Sequence, residues 1–262
     1  MRVILAGYNG KLGRAVIEAA AGKPGEFSIV AGVDVIPAGT GRDFPAFLLS
    51  GIWECETAAD AMIDCSHHSA AGTLLEYAAA KKIPAVICPT GHTAEELGII
   101  ESCSKKIAVF KSPNMSLGAN LIAELAKKAA ALLGGDFDIE IIEKHHNQKI
   151  DAPSGTALMI ADEICSVFGE GDRPGYVYDR HGAKKARGKN EIGIHAIRGG
   201  TITGEHEVIF AGPNEIVSIS HSAQSRDMFA SGALSAAKYI SGKPAGLYGM
   251  KDLLGETAGK GR

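Results

Sequence analysis

The sequence predicts an α/β protein with a Rossmann-like, doubly wound parallel sheet and a second, α+β domain with a mixed or antiparallel sheet. Up to residue 110, short and wholly apolar runs alternate with helical segments of about 12 residues, the pattern of parallel strands covered on both faces. The first of these runs ends directly at Gly7. Beyond residue 190, three strand-like runs follow one another without helices between them, which predicts the second sheet.

The first domain is predicted over residues 1–115. Its strands are predicted at residues 3–6, 28–34, 61–63, 84–88 and 107–110. The first helix is predicted from Leu12, Val16 and Ala20, because a spacing of four residues places them on one helix face. Two further helices are predicted at residues 73–82 and 93–105.

The second domain is predicted over residues 116–237, with residues 238–262 packing back on the first domain. It opens with an Ala/Leu-rich helix at residues 117–133, which ends at Gly134 and Gly135 because glycine commonly stops a helix. A strand at 137–143, a helix at 155–168 and a polar, basic loop at 180–189 follow. Strands at 191–197, 201–210 and 215–221 and a helix at 225–241 complete the domain.

Composition excludes several classes of protein. With 262 residues, 45% hydrophobic and 22% charged, the chain can bury a sizeable core. A net charge of −3 gives no general attraction to nucleic acid or to an anionic membrane, and no apolar run approaches the about 18 residues of a membrane span. The apolar run before Gly7 is too short for a signal peptide. Five widely spaced cysteines without a CxxC pair predict reduced thiols in a cytoplasmic protein.

A dinucleotide site is predicted at the first turn. Gly7, Gly10 and Gly13 lie between the first strand and the first helix, where small residues let the backbone approach a pyrophosphate at a helix N-terminus. Asp34 ends the next strand, where a carboxylate can accept hydrogen bonds from a ribose diol. A purely structural turn is the alternative. Because a carboxylate repels a 2′-phosphate and Val35 cannot bind one, we expect NADH to be preferred or both cofactors accepted, with Arg42 or Lys11 as possible phosphate partners.

The densest chemical cluster is the run EKHHNQKIDAPSGTA at residues 143–157. Ser154 is a candidate N-cap, and Gly155 and Thr156 then place free amides at the start of a helix. Together with the charge of Lys149 these amides predict a carboxylate site, and a histidine beside it can transfer a proton near neutral pH. A solvated polar loop is the alternative for the isolated run. No metal site is predicted, because adjacent histidines lack a ligand pattern.

Two other polar segments carry weaker signals. His67 and His68 are interpreted as a loop at a strand end rather than as a pair of ligands. The basic segment 180–189 is interpreted as a solvated loop that could move over an anionic substrate. It has no interleaved aromatic residues, so no binding of nucleic acid is predicted.

The glycine turn, the run KSPNMS at residues 111–116 and the block at 143–157 together resemble the 4-hydroxy-tetrahydrodipicolinate reductase (dihydrodipicolinate reductase) family over the whole chain. The resemblance implies a reductase of lysine and diaminopimelate biosynthesis that takes NADH or NADPH and a small dicarboxylate. It also implies a homotetramer, with a Rossmann domain and a substrate-binding and oligomerisation domain.

The resemblance also implies roles for individual residues. His145 corresponds to the family's proton donor or acceptor and Lys149 to its proton donor. The implied substrate contacts are His146, Gly155 and Thr156. The implied cofactor contacts are Gly7, Tyr8, Asn9, Gly10, Lys11, Leu12, Asp34, Cys88, Pro89, Thr90, Ser112, Pro113, Asn114 and Met115.

The chain departs from the family pattern in two places. Many members have Gly-Thr-Thr-Gly where this chain has Cys88 and Pro89 before Thr90 and Gly91, and proline has no N–H to donate. Cys65 stands where the family often has phenylalanine. Two rival functions stay open: another nicotinamide-dependent imino- or amino-acid reductase, which has no reason to carry the block at 143–157, and a non-catalytic NAD(H) redox sensor.

Overall fold

A computed structural model describes residues 1–36, 43–182 and 184–259 of the chain. The chain forms two compact units. The first consists of the described parts of Met1–Leu117 and Asp227–Arg262, and the second of Gly118–Arg226. No helix within the described residues combines the length and the apolar character needed to cross a membrane.

The described elements are numbered here along the chain. The strands are β1 Arg2–Ala6, β2 Ser28–Asp34, β3 Ala46–Leu48, β4 Ala61–Asp64, β5 Ala85–Ile87, β6 Ala108–Lys111, β7 Asp138–His145, β8 Gly175–Val177, β9 Glu191–Arg198, β10 Glu205–Ala211, β11 Ile216–Ser222 and β12 Gly246–Tyr248. The α-helices are α1 Lys11–Ala21, α2 Ala71–Lys81, α3 Ala94–Ser104, α4 Leu117–Leu133, α5 Gly155–Cys165, α6 Asp227–Ile240 and α7 Met250–Gly259. Short 3₁₀ helices cover Leu49–Glu54, His68–Ala70 and Gly134–Asp136.

The first unit contains a seven-stranded sheet in the order β12-β6-β5-β4-β1-β2-β3, and every neighbouring pair is parallel. Successive side chains of a strand point to opposite faces, so Val3 and Leu5 enter one apolar core while Ile4 and Ala6 enter another. Apolar runs are therefore buried on both faces, as the sequence predicts for a doubly wound sheet. The Rossmann-like part of the predicted fold is confirmed.

Helix α6 belongs to the first unit, whereas the sequence-based boundary placed residues up to 237 in the second domain. Ala230, Ala233 and Leu234 of α6 are fully buried in the core that α1 also enters. A Cβ atom on Gly232 would lie 1.7 Å from the carbonyl oxygen of Met115, so the helix approaches that backbone closely. Periodicity located the helix, but it did not show which core its apolar face enters.

The second unit contains a mixed five-stranded sheet in the order β11-β10-β7-β9-β8. Strand β10 is antiparallel to β7 and β11, whereas β7, β9 and β8 are parallel. Alternate residues of β7, including Ile139 and Ile141, pack with α4 and α5 in one core. Glu143 and His145 continue that same inward face. The mixed sheet of the predicted fold is confirmed.

Some predicted elements differ in their bounds or neighbours. β10 starts at Glu205 rather than at residue 201, and β7 continues to His145, two residues beyond its predicted end. Helix α5 ends at Cys165 rather than at residue 168. The consecutive strands β9 and β10 are not neighbours, because β7 lies between them. The three-residue strands β3, β8 and β12 and helix α7 were not predicted from the sequence.

Candidate functional site

The turn between β1 and α1 requires glycine at two of its three glycine positions. Gly7 has φ +72°, and a Cβ atom there would lie 2.6 Å from the backbone of Cys65. A Cβ atom on Gly13 would lie 2.2 Å from the carbonyl oxygen of Gly7. Gly10 precedes α1 as its N-cap and has no side chain to bond the first amides of the helix. The turn is thus a close backbone cradle with helix amides available, which fits a pyrophosphate.

Asp34 lies beside this cradle. Its carboxylate accepts hydrogen bonds from the backbone N–H of Asn9 at 3.0 Å and of Val35 at 2.8 Å. The N–H of Gly7 also donates to the carbonyl of Val33 at 2.8 Å, which ties the turn to the end of β2. The carboxylate therefore stands at the strand end where the sequence predicts a ribose contact. Arg42 lies outside the described residues.

The predicted cofactor residues follow the carboxyl ends of parallel strands of the first unit. β1, β5 and β6 end immediately before them, and Asp34 is the last residue of β2. Ligands of doubly wound sheets bind at this edge, next to the point where the strand order reverses, which here is between β1 and β4. The structure thus brings these residues to one edge of one sheet.

Not every predicted cofactor residue presents its side chain to this edge. Tyr8 is fully buried and packs edge-to-face on Phe44, with ring centroids 5.7 Å apart, so the side chain of Tyr8 belongs to the core. The side chain of Met115 is buried in the same core. Ser112 donates its hydroxyl to the carbonyl of Asn114 at 2.8 Å, which closes the turn after β6. Tyr8 and Met115 can therefore serve a ligand through their backbone alone.

In the second unit, a buried carboxylate organises the block at 143–157. Glu143 is fully buried, and its oxygens accept hydrogen bonds from Arg198 Nη1 and Nη2 at 2.8 and 2.7 Å, from His145 Nδ1 at 2.6 Å and from the N–H of Ser154 at 3.0 Å. Burial alone would raise the pKa of Glu143, but these hydrogen bonds outweigh it and hold the pKa below its ordinary value. Glu143 is therefore ionised at neutral pH and joins strand β9 to the start of α5.

His145 ends β7 with 9% of its surface exposed. Burial lowers its pKa, and the charges of Lys149 and Arg198 lower it further, whereas Glu143 acts in the opposite direction; the net pKa lies below the ordinary value. The imidazole is consequently neutral at pH 7, with the hydrogen on Nδ1 directed at Glu143. A Cβ atom on Gly204 would lie 3.1 Å from Nε2, so glycine at 204 leaves room beside this nitrogen.

Helix α5 begins where the sequence predicts an anion site. Ser154 is the N-cap, and its hydroxyl accepts the N–H of Ala157 at 3.2 Å. Nothing lies within 4 Å of the place a Cβ atom on Gly155 would take, so the helix start is open there. The carboxylate of Asp151 pairs with Lys149 Nζ at 2.8 Å, and this lysine, with a smaller contribution from the N–H of Gly155, holds the pKa of Asp151 below its ordinary value. A carboxylate of the chain itself thus lies near the positive end of this helix.

Three further side chains extend the cluster. His146 Nε2 lies 3.1 Å from Arg226 Nη2. His206 Nε2 lies 3.1 Å from the hydroxyl of Ser154, and the ring centroids of His206 and His145 are 5.3 Å apart. Burial and the charges of neighbouring histidines lower the pKa of His206 to about 4. Within the described residues no group of three or more histidine, cysteine or acidic side chains could hold a metal ion.

The basic segment 180–189 differs from its sequence-based interpretation. Arg180 and Arg187 reach Glu140 of β7, with N–O distances of 2.8 and 3.0 Å, and Arg180 also pairs with Glu191. Arg187 donates in addition to Asp138 at 2.8 Å. The expectation of a solvated loop is therefore wrong for these two arginines, because carboxylates on the sheet hold them.

Sequence reasoning missed several members of the cluster. Glu143 stood within the block without a role, and Arg198, Gly204, His206 and Arg226 lie 53 or more residues beyond His145 in the chain. Inward alternation along β7 could have placed Glu143 on the face of His145. Nothing local to Arg198 or His206 indicates their partners.

Comparisons with known proteins agree with this geometry. Residues 1–115 match the sequence model of the dihydrodipicolinate reductase N-terminus, and residues 118–254 match that of its C-terminus. The chain is 54% identical to a 4-hydroxy-tetrahydrodipicolinate reductase of Caldanaerobacter subterraneus subsp. tengcongensis, over 97% of this chain and 98% of the relative. It is 48% identical to the enzyme of the same name from Clostridium tetani, over 97% of each chain.

Solved structures extend the similarity. A dipicolinate-bound dihydrodipicolinate reductase from Paenisporosarcina sp. TG-14 has a TM-score of 0.77 at 26% identity, covering 96% of this chain and 98% of that chain. A DAP dehydrogenase of C. glutamicum in complex with DAP has a TM-score of 0.57 at 15% identity, covers 100% of this chain and 99% of that chain, and shares the fold. Both halves of this chain match one family. The chain therefore belongs to the dihydrodipicolinate reductase family, whose members are nicotinamide-dependent oxidoreductases.

Proposed function

We propose that the chain reduces 4-hydroxy-tetrahydrodipicolinate to tetrahydrodipicolinate, with loss of water, in lysine and diaminopimelate biosynthesis. One observation carries the assignment of the site to the block at 143–157. Within one strand, turn and helix, this block combines an imidazole held by a buried carboxylate, a lysine ammonium and an open helix N-terminus. Such a set binds a carboxylate and moves a proton.

The substrate carboxylate is bound at the start of α5. In the proposed complex it replaces the carboxylate of Asp151 and accepts hydrogen bonds from the amides of Gly155 and Thr156. Lys149 supplies the opposite charge, and His146 supplies a further polar contact. The support is that Asp151, a carboxylate, already pairs with the ammonium of Lys149 and that the N–H of Gly155 helps to lower its pKa.

His145 and Lys149 handle the proton. Glu143 holds the Nδ1 hydrogen of His145, so Nε2 of the neutral ring is the atom that takes up or passes on a proton. The ammonium of Lys149 is the donor that quenches negative charge on the reduced substrate, and its charge also stabilises that negative charge before transfer. A bound nicotinamide supplies the hydride for this reduction.

The cofactor lies in the glycine cradle of the first unit. The turn of Gly7 and Gly13 binds the pyrophosphate, and the carboxylate of Asp34 accepts hydrogen bonds from the hydroxyls of the adenosine ribose. Because the carboxylate of Asp34 repels a 2′-phosphate, NADH is preferred or both cofactors are accepted. Comparison of kcat/KM for NADH and NADPH tests this preference, and a large preference for NADPH contradicts it.

We further propose a homotetramer in the cytoplasm. The tetramer is the family's assembly as the resemblance implies it, and sedimentation of the purified chain tests it. The cytoplasmic location is supported by the five cysteines, each of which lies in the described residues as a free thiol.

The activity is tested by the absorbance decay of NADH or NADPH with the substrate generated in situ. Pyridine-2,6-dicarboxylate is the expected inhibitor. His145→Gln lowers kcat by about 100-fold, within the usual range for an acid–base group, and Lys149→Ala impairs both kcat and KM. Lys105→Ala, on an exposed residue at the end of α3, is the matched control. Near-native kcat in both site variants contradicts the assigned roles.

The same assay separates the rival functions. Oxidation of the nucleotide with another imino acid, but not with the cyclic dicarboxylate, indicates a reductase of different specificity. Tight binding of NADH without any turnover indicates a redox sensor.

A further inference from the structure

Two cysteines lie side by side at the edge of the first sheet. Asp64 of β4 pairs with Ile87 of β5 in parallel register, and the next residues along the two strands are Cys65 and Cys88. The N–H of Cys88 donates to the carbonyl of Asp64 at 3.0 Å, which continues the ladder to this pair. Neighbouring strands are about 4.8 Å apart, and a disulfide accepts Cα separations of about 4.4–6.8 Å. The backbone therefore holds the two cysteines within bonding range.

The side chains of this pair point to the same face. Side chains alternate along a strand, so Cys65 shares the face of Ile63, and Cys88 shares the face of Val86. Ile63 and Val86 belong to one core, and both cysteines pack against it. The Cys65 thiol also interacts with the Cys88 thiol, and this interaction raises the pKa of Cys65. The geometry thus brings sulfur next to sulfur, not merely backbone next to backbone.

The pair also differs from the other cysteines in exposure. Cys65 and Cys88 are partly exposed, whereas Cys55, Cys103 and Cys165 are buried. A small oxidant therefore reaches Cys88 of this pair in the folded protein, while the three buried thiols are protected.

We propose that Cys65 and Cys88 form a reversible oxidation site, which hydrogen peroxide converts into an intramolecular disulfide. The sulfur of one thiolate attacks a peroxide oxygen, the O–O bond breaks, and the departing hydroxide takes up the thiol proton to leave as water. The sulfenic acid that results is attacked by the second sulfur, and its hydroxyl leaves as a second water. The two thiols lose two electrons, and the peroxide gains them.

The order of attack follows from the surroundings of the two sulfurs. The hydrogen bond to Cys88 raises the pKa of the Cys65 thiol, and burial and the nearby charge of Asp64 raise it further. Cys65 is thus the poorer source of thiolate. Cys88 is attacked by peroxide first, and Cys65 then resolves the sulfenic acid.

The disulfide acts on the glycine cradle through the backbone. A Cβ atom on Gly7 would lie 2.6 Å from the carbonyl carbon of Cys65 and the nitrogen of Ser66, so this segment lies directly against the turn. Closing the bond fixes the spacing between the ends of β4 and β5 at the value a disulfide requires and so shifts the segment that lies against Gly7. We expect weaker dinucleotide binding in the oxidised protein, a consequence that rests on the proposed function.

Peptide mass spectrometry tests the disulfide itself, without reference to any activity. The folded full-length chain is treated with hydrogen peroxide, alkylated, and digested with trypsin. Cys65 lies on the peptide 43–81 with Cys55, and Cys88 lies on 83–105 with Cys103, so fragmentation has to locate the link. We expect one linked pair of these peptides that joins 65 to 88, with Cys165 still alkylated, and dithiothreitol reverses the link.

Two variants make the result specific. Cys65→Ser abolishes the link and leaves Cys88 as a sulfenic acid that dimedone traps, whereas Cys103→Ser retains the link. Full alkylation of both cysteines after peroxide overturns the proposal, and so does a linked peptide pair that persists in Cys65→Ser.

Titration with NADH then measures the consequence. An affinity reduced several-fold in the disulfide form and restored by dithiothreitol supports the effect on the cradle. A disulfide with unchanged affinity supports the oxidation site and overturns that effect. A reduced chain that binds neither NADH nor NADPH overturns the proposed function instead, and the peptide result still decides the oxidation site.

Discussion

Protonation of His206 couples the candidate site to the stability of the second unit. His206 is 5% exposed, and its Nδ1 atom has no hydrogen-bond partner among the described residues. Burial lowers its pKa to about 4, helped by the charges of His145, His221 and Lys149 and opposed by Glu143. In the unfolded chain the pKa of a histidine is about 6.5. Between these values the unfolded chain binds more protons than the folded one, so stability falls as the pH falls.

The size of the effect follows from the two pKa values. At pH 7.5 the ring is neutral in both states and contributes almost nothing. At pH 5 it is almost fully protonated in the unfolded chain and about nine-tenths neutral in the folded one, which costs about 2 kcal/mol of unfolding free energy relative to pH 7.5. His206→Asn removes this loss. The neutral-pH stability of the variant can also change, so the quantity to compare is the difference between the two pH values.

Cys165 provides the assay, because it is the sole cysteine between residues 118 and 226 and is buried in the core of that unit. Its reaction with 4,4′-dithiodipyridine, which proceeds at acid pH, is followed by mass spectrometry over a series of urea concentrations. The unaltered chain should lose about 2 kcal/mol more than His206→Asn between pH 7.5 and pH 5. His181→Asn, on an exposed residue, should behave as the unaltered chain. An equal loss in His206→Asn refutes the reasoning.

Three further substitutions test separate parts of the structure. Glu143→Gln removes the hydrogen-bonded anion that raises the pKa of His145. We therefore expect kcat to fall about 10- to 100-fold and the acid limb of the pH profile of kcat to move to lower pH. The control Glu205→Gln, which breaks the half-exposed ion pair with Lys144, should leave both kcat and the pH profile unchanged. Asp151→Asn removes the negative charge that competes with a ligand carboxylate for Lys149. Because the Asp151 side chain is 59% exposed, the effect is modest, and the dissociation constant of pyridine-2,6-dicarboxylate should fall by about two- to fivefold. Weaker binding of the inhibitor contradicts the proposal that a substrate carboxylate replaces Asp151. Gly13→Ala places a Cβ atom 2.2 Å from the oxygen of Gly7 and should abolish NADH binding in a titration, whereas Gly22→Ala, with 3.6 Å to its nearest atom, should bind as the unaltered chain does.

Signals that depend on a few consecutive residues could be predicted from the sequence. The N-cap at Ser154 and the helix that follows it needed nothing beyond residues 153–157, and helix α4 has the predicted bounds. The buried runs of the first sheet were recognisable because a strand covered on both faces is apolar at every position. The capping box of Thr93 and Glu96 likewise begins α3 one residue after the predicted start.

Features that depend on distant pairing could not be predicted. Strands of three residues, such as β3 and β12, are too short to show a period, and the parallel ladder to a neighbour defines them. The partners of Glu143 are also set by the sheet, since β9 places Arg198 opposite His145 across 53 residues of sequence. The sequence suggested that Arg180 and Arg187 are solvated because the carboxylates of β7 to which they donate lie about 40 to 50 residues earlier in the chain.

The distribution of charge in the second unit favours a dicarboxylate at the proposed site. The anion of Glu143 is fully used by Arg198, His145 and the amide of Ser154, so it neutralises the guanidinium and repels no ligand at the surface. Beside it lie the ammonium of Lys149 and the positive end of α5, and in the free chain the exposed carboxylate of Asp151 pairs with this ammonium. A substrate with one carboxylate would only replace the ion pair between Lys149 and Asp151 by an equivalent ion pair with Lys149. In the proposed complex, a substrate with two carboxylates would replace Asp151 and offer a second anion to the guanidinium of Arg226 beside His146, which pairs with no carboxylate among the described residues.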